Sequence, residues 1–408
     1  MNKTKKNTRG ITLIALVITI VVLLILAGIT IAALSGDNGI LTRAKEAKEK
    51  TEQAQQEEEK TLSNMENILG VYNFKNVNIE DTNPAVAVPE NSVVLEDDAN
   101  KGIVIKDKNN NEWVWIEVPK TTVFTGLTID TTNTLTEQNY TDIKNKLITY
   151  VGEYKNGSAS QNYNNWTDEW YNGCGMTSDE YIATYQSMLK SVYTYGGFWI
   201  GRYEAGIEGS IDDVSKARIS HTDITIGTSP KAISQKDAIP YNYVYCSEAQ
   251  ALAKEITPDS SYTSSLMFGI QWDLTCKFLE TKGGLTTMDI NSDSSTWGNY
   301  NNIARTITSD KAKQKGETWT TITDAKLANS RILLTTGASE ETKKMNIYDF
   351  AGNEGEWTLE KSLKSNEPCI NRGGNYRNLG SSGQAASYGS SNITNTDDFL
   401  SFRTTLYK

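Results

Sequence analysis

Residues 112–118 read Glu-Trp-Val-Trp-Ile-Glu-Val, with large apolar side chains between flanking acids. That run alternates in the way a half-buried strand requires. The same texture recurs from about Val71 onward, where Tyr and Trp become frequent and short alternating runs replace helical periodicity. Two helical patches interrupt it, Ser247 to Ile256 and Ser265 to Leu279, the second expected to turn Trp272 and Phe278 inward. Few helices, many short strands and long loops make an α+β domain. Pro84 to Pro89 marks the end of a linker, so residues 71–110 read as linker and start of a head, and 111–408 as the head itself.

Working toward the N-terminus, the chain changes character. Residues 1–10 carry Lys3, Lys5, Lys6 and Arg9 and no acid, and Ile11 to Leu34 is an uncharged apolar run. A bilayer core needs about 20 such residues in a helix. The basic flank before the run predicts the N-terminus inside and the bulk of the chain outside, a single-pass arrangement with an extracytoplasmic head. Two plainer readings are a signal anchor and a signal peptide cleaved after the run, although the run exceeds a typical h-region of roughly 7 to 15 residues. Ser35-Gly-Asp-Asn-Gly then breaks the helix, Asp37 or Asn38 can cap a new one, and residues 35–70 form a charged helical stalk rich in Glu and Lys.

Bulk composition removes several functions. With 408 residues the chain has room for at least one large core. A formal net charge of -10 and a pI near 5.0 argue against a nucleic-acid partner, which needs clustered Lys and Arg. The cysteines Cys174, Cys246, Cys276 and Cys369 are widely spaced and form no zinc or thioredoxin motif, leaving two disulfides or four buried thiols. His221 is the only histidine, so a Ser-His-Asp triad is unattractive and a surface role is expected.

The join Arg9-Gly10, followed by Ile11-Thr-Leu-Ile14, resembles the cleavage motif of type IV prepilins and pseudopilins. The resemblance implies a membrane prepilin peptidase that cuts between Gly10 and Ile11, methylation of the new N-terminus, and packing against other pilin subunits. The fifth mature residue is Ala15 where the family usually has Glu. That departure implies a tip-located or minor subunit, or a diverged subtype, rather than a major pilin.

Four pieces in order carry a second resemblance: residues 197–204 (GFWIGRYE), 267–273 (MFGIQWD), 347–358 (IYDFAGNEGEWT) and 371–376 (NRGGNY), with a closing Phe402-Arg403. Together they resemble the formylglycine-generating-enzyme (sulfatase-modifying factor) family, which has a C-type-lectin-like fold. Its oxidase branch holds copper on two cysteines, and this chain has Asn378 and Gly383 at the matching places. Iron-binding branches use several histidines, so neither copper nor iron is expected. The resemblance also implies a Ca²⁺ site in which Asp349 and Glu356 give side chains and Gly352 and Glu354 give carbonyls, a donor set suited to a hard cation. The plainer reading makes Glu354 and Glu356 exposed loop charges.

The stretch from Asn375 to Thr396 is dominated by Asn, Ser, Gly and Tyr and by composition is loop. The same mixture makes adaptable binding surfaces, and it resembles the variable region of proteins diversified by a retroelement. The resemblance implies a ligand face at Asn375, Tyr376, Arg377, Asn378, Ser381, Ser382, Ser387, Tyr388, Ser390 and Ser391. The expected function is a surface pilin-like adhesin with a non-catalytic head for a glycan or protein ligand. The competitors are a minor pseudopilin with an assembly role, an enzyme of the formylglycine-generating class, and an unprocessed signal-anchored protein.

Overall fold

A computed structural model describes residues 17–26, part of 43–54, 72, 74–78, 81, 86–152, 154 and 167–408. The chain divides into two compact units, residues 1–69 and 70–408. In the first, residues 17–26 are helical with exposed side chains, and the described residues between 43 and 54 are helical too. No helix among the described residues is long and apolar enough to cross a membrane. The expected processing site at Gly10 and Ile11, and the rest of the apolar run beyond 17–26, lie outside the described residues.

The second unit is α+β. Its larger sheet contains β1 (Val93–Glu96), β2 (Val104–Lys106), β3 (Glu112–Glu117), β4 (Gly197–Gly201) and β5 (Thr263–Leu266). A smaller sheet contains β6 (Gly355–Lys361), β7 (Cys369–Arg372), β8 (Tyr388–Ser391) and β9 (Leu400–Phe402). The last strand, β10 (Thr404–Tyr407), returns to the larger sheet, whose order is β1-β2-β3-β4-β10-β5 with every pair antiparallel. The smaller sheet has the order β8-β7-β6-β9, with β9 parallel to β6.

The strand at 112–117 is buried on both faces rather than one. Val114 and Ile116 enter the main core with Phe198 and Ile200 of β4. Trp113 and Trp115 enter a second cluster with Trp199, Leu406, Ile256 and Tyr262. The cross-strand pair Trp115 and Trp199 meets edge to face, with ring centroids 5.1 Å apart. Two tryptophans on the outer face need a cover of their own, and that cluster supplies it.

Four longer helices lie among the strands: α1 (Glu137–Val151), α2 (Ser178–Tyr195), α3 (Cys246–Lys254) and α4 (Gly269–Thr281). Each of the first two opens on a capping box, Thr136 with Asn139 and Thr177 with Glu180. Helix α2 stops at Gly196 (φ +73°), where a Cβ would fall 2.0 Å from the Asp81 carbonyl oxygen. The two expected helical patches match α3 and α4, except that 263–266 forms β5 by pairing with β10. Helix α4 begins only at Gly269 because the Asp168 carboxylate accepts the N–H groups of Gly269 and Ile270, at 2.8 and 3.1 Å. Trp272 and Phe278 point inward as expected, into the main core with Ile143 of α1 and Met188 of α2.

Candidate functional site

The motif segments named from the sequence are tied together at two buried arginines, Arg403 and Arg372. Arg403 grips Glu356 with a forked contact, Nη2 to Oε1 at 2.7 Å and Nε to Oε2 at 3.1 Å. Its remaining N–H groups donate to the carbonyls of Gly201 and Tyr348, each at 2.9 Å. One guanidinium therefore ties together segments 197–204, 347–358 and the chain end. Arg372 is held in the same way between Asp273 and Glu360. Glu204 accepts Nδ2 of Asn353 at 2.7 Å and the backbone N–H of Glu354 at 3.0 Å. The sequence reading did not single out Asp273 or Glu360, although an arginine in a core segment demands buried carboxylates somewhere.

Four buried carboxylates, Glu204, Asp349, Glu354 and Glu356, lie in the motif segments. Burial pushes the Glu204 carboxyl well above its usual range, and the neighbouring charges of Asp349, Glu356 and Glu354 add to the shift. Burial does the same to Glu354, whose Oε1 accepts Nδ2 of Asn242 at 3.2 Å. Glu354 Oε2 is buried and has no hydrogen-bond partner among the described residues. Glu354 and Glu356 are thus interior groups, contrary to the exposed-charge reading.

The chain's own donors occupy the side chains expected to bind calcium. Asp349 Oδ2 accepts the Gly337 N–H at 2.7 Å and Oδ1 accepts the Thr342 hydroxyl at 2.7 Å. Both Glu356 oxygens face Arg403. Gly352 (φ +75°) donates its N–H to the Gly373 carbonyl at 2.9 Å. A cation at the Glu356 side chain would have to displace the Arg403 guanidinium, and one at the Asp349 side chain the donors of Gly337 and Thr342. Among the described residues, the ligand atoms gathered closely enough to share an ion belong to His221, Asp223 and Glu248. There His221 Nε2 lies 3.1 Å from Glu248 and its ring stacks on Tyr245, so this half-buried histidine is engaged rather than free.

The expected ligand face divides sharply by burial. Tyr376 is 4% exposed, and its hydroxyl accepts from Arg377 Nε at 3.1 Å. Its ring is buried, so it offers no contact surface. Ser381 and Ser382 are exposed, while Asn375, Arg377, Asn378, Ser387, Tyr388, Ser390 and Ser391 are half-buried. Arg377 pairs with Asp398 and lies over the Phe399 ring at 5.0 Å. Ser390 donates to Glu367 at 2.7 Å and accepts from Lys364 at 3.0 Å.

Glycines, backbone contacts and a few inward-turned side chains hold this loop. A Cβ on Gly374 (φ +68°) would fall 2.1 Å from the Gly383 carbonyl oxygen, so the loop closes on itself only with glycine there. Gly383 in turn sits against the Asn378 side chain, so the two positions matched to the copper cysteines are neighbours in space. Asn378 Oδ1 accepts the Asn375 N–H at 2.9 Å, and Trp272 Nε1 donates to the Ala385 carbonyl at 2.9 Å. Residues 388–391 form β8 rather than loop, paired with β7 from Tyr388 opposite Arg372 to Ser391 opposite Cys369. Backbone pairing at a sheet edge explains a strand that has no apolar alternation. All four cysteines are buried free thiols.

No family model matches the chain, and no curated protein does. Among solved structures, variable protein 1 of Treponema denticola is 12% identical, with a TM-score of 0.29 over 53% of this chain and 89% of that one. The crystal structure of CarF is 14% identical, with a TM-score of 0.31 over 52% of this chain and 87% of that one.

Proposed function

We propose that residues 70–408 form a non-catalytic binding head, and that exposed and half-exposed side chains between Asn375 and Ser391 make the ligand contacts. The supporting observation is the division of labour in that loop. Its shape rests on Gly374, on backbone hydrogen bonds and on inward-turned side chains such as Asn378 and Gln384, whereas the side chains of Ser381 and Ser382 are exposed. A scaffold of this kind lets side chains change without cost to the core. Thiol chemistry is disfavoured in the same picture: burial raises the thiols of Cys174 and Cys276, and contact with Cys369 together with burial raises Cys246, the wrong direction for a nucleophile.

The proposal extends to the N-terminus. The leader is removed after Gly10, residues 11–34 anchor the protein in the membrane or a filament, and residues 35–70 hold the head away from it. A minor pseudopilin with an assembly role is the competing reading, and Ala15 in place of the usual Glu fits a tip-located or minor subunit or a diverged subtype. Intact-mass and N-terminal analysis of protein from the native membrane or sheared surface fraction tests the anchor. A start at methylated Ile11 supports it, and a start at Met1 removes the pilin pathway. Saturable ligand binding by the head separates recognition from assembly.

A further inference from the structure

A cavity of about 330 Å³ opens between α1, α2 and the segment 168–170, and it shares no lining residue with the 375–391 face. Its volume falls in the range of small-molecule sites. Tyr181 and Tyr185 form the floor, and both are held by the Phe268 ring at centroid distances of 5.5 and 4.9 Å. The Tyr181 hydroxyl donates to the Leu359 carbonyl at 2.7 Å, which fixes its ring further. Trp170 stands at the rim 40% exposed, and its indole N–H donates to the Met176 carbonyl at 2.8 Å, so the ring's plane is set before any ligand arrives.

Most of the charges around these rings are already engaged, and one carboxylate is left at the rim. The lining holds the carboxylates Glu137, Asp168 and Glu169 against the single ammonium of Lys144. Asp168 caps α4 and burial pushes its carboxyl up to about 7, and Glu169 lies 3.5 Å from Lys361, whereas Glu137 is placed by Gln186 Nε2 at 2.9 Å and is the carboxylate left for a ligand. Aromatic faces attract cations through their quadrupoles, and Glu137 sets a carboxylate beside these rings. We propose that this cavity is a binding site for an organic ammonium group, seated on Trp170 and the tyrosines and neutralised by Glu137.

The test is calorimetric titration of the full chain at fixed ionic strength. Choline chloride probes a free quaternary ammonium, and Nα-acetyl-lysine amide probes an amine presented on a peptide. The neutral isostere of choline, 3,3-dimethylbutan-1-ol, and a methyl glucoside are the controls. The expected result is saturable binding of at least one cation, about tenfold weaker binding of the isostere, and loss of about tenfold in affinity in Trp170→Ala with the melting temperature kept. Glu137→Gln, which leaves every ring in place, weakens the cation and not the isostere. Equal binding of the neutral isostere, binding of the sugar alone, no saturation by either cation at about 10 mM, or unchanged affinity in both variants overturns the proposal.

Discussion

Arg403 and Glu356 form a forked ion pair inside the head, with both side chains at most 1% exposed. A buried pair costs solvation on both sides, and removing one partner strands the other. Arg403→Met is therefore expected to destabilise the head by about 3–5 kcal/mol, while the double variant Arg403→Met with Glu356→Leu recovers part of the loss. Chemical denaturation of the two variants beside the parent checks this, and equal destabilisation of single and double variants contradicts it.

Buried carboxyls set the pH dependence. The Glu354 carboxyl, ordinarily near 4.5, is raised well above that value by burial. The folded state therefore holds the proton more tightly than the unfolded one. Its contribution to stability is fully present below the unfolded pKa and is lost as the pH rises toward the folded one. Melting temperature is expected to fall as the pH rises above the ordinary carboxylate range. Glu354→Gln keeps the acceptor for Asn242 and removes the charge, so it flattens that slope and raises stability at the alkaline end. A slope unchanged in Glu354→Gln refutes the assignment.

The loop at 374–383 is sensitive at its glycines and tolerant at its serines. Gly374→Ala must relieve a Cβ 2.1 Å from a carbonyl oxygen at positive φ, and a loss of about 1–3 kcal/mol is expected. Tyr376→Ala empties a buried ring site, with a loss of about 3 kcal/mol or more. Ser381→Lys and Ser382→Lys change stability by no more than about 0.5 kcal/mol. Denaturant midpoints for the four variants separate scaffold from surface, and a large loss at either serine would show that the loop is not built as described.

Added Ca²⁺ is expected to leave the melting temperature of the head unchanged, and so is EDTA. The carboxylates of Asp349 and Glu356 are already met by Gly337, Thr342 and Arg403. A rise that follows Ca²⁺ concentration by mass action would restore the calcium reading.

The α+β class was legible because short Trp-rich apolar runs such as 112–117 read as strands and the apolar patches of α3 and α4 read as helices. Helices α1 and α2 escaped notice, although Thr136-x-x-Asn139 and Thr177-x-x-Glu180 stand before them. The buried stripe of α1 is only Ile143, Leu147 and Val151 among Asn, Thr and Lys, too thin to register as a helix face. Strand β8 was hidden for another reason: Tyr-Gly-Ser-Ser has no pattern, and its pairing is fixed by β7. At the site, composition identified an adaptable loop but could not tell which way a ring turns, so Tyr376 counted as surface. Nor could it foresee that Glu356 would be claimed by an arginine 47 residues away.

Binding by the head itself is the most direct measurement. Labelled full chain is applied to immobilised glycan and cell-surface protein arrays, beside a variant carrying Ser381→Lys, Ser382→Lys and Tyr388→Ala. The account predicts saturable binding by the parent and its loss in the variant, with both melting together. Binding that survives unchanged in the variant, or no saturable binding by the parent, contradicts it.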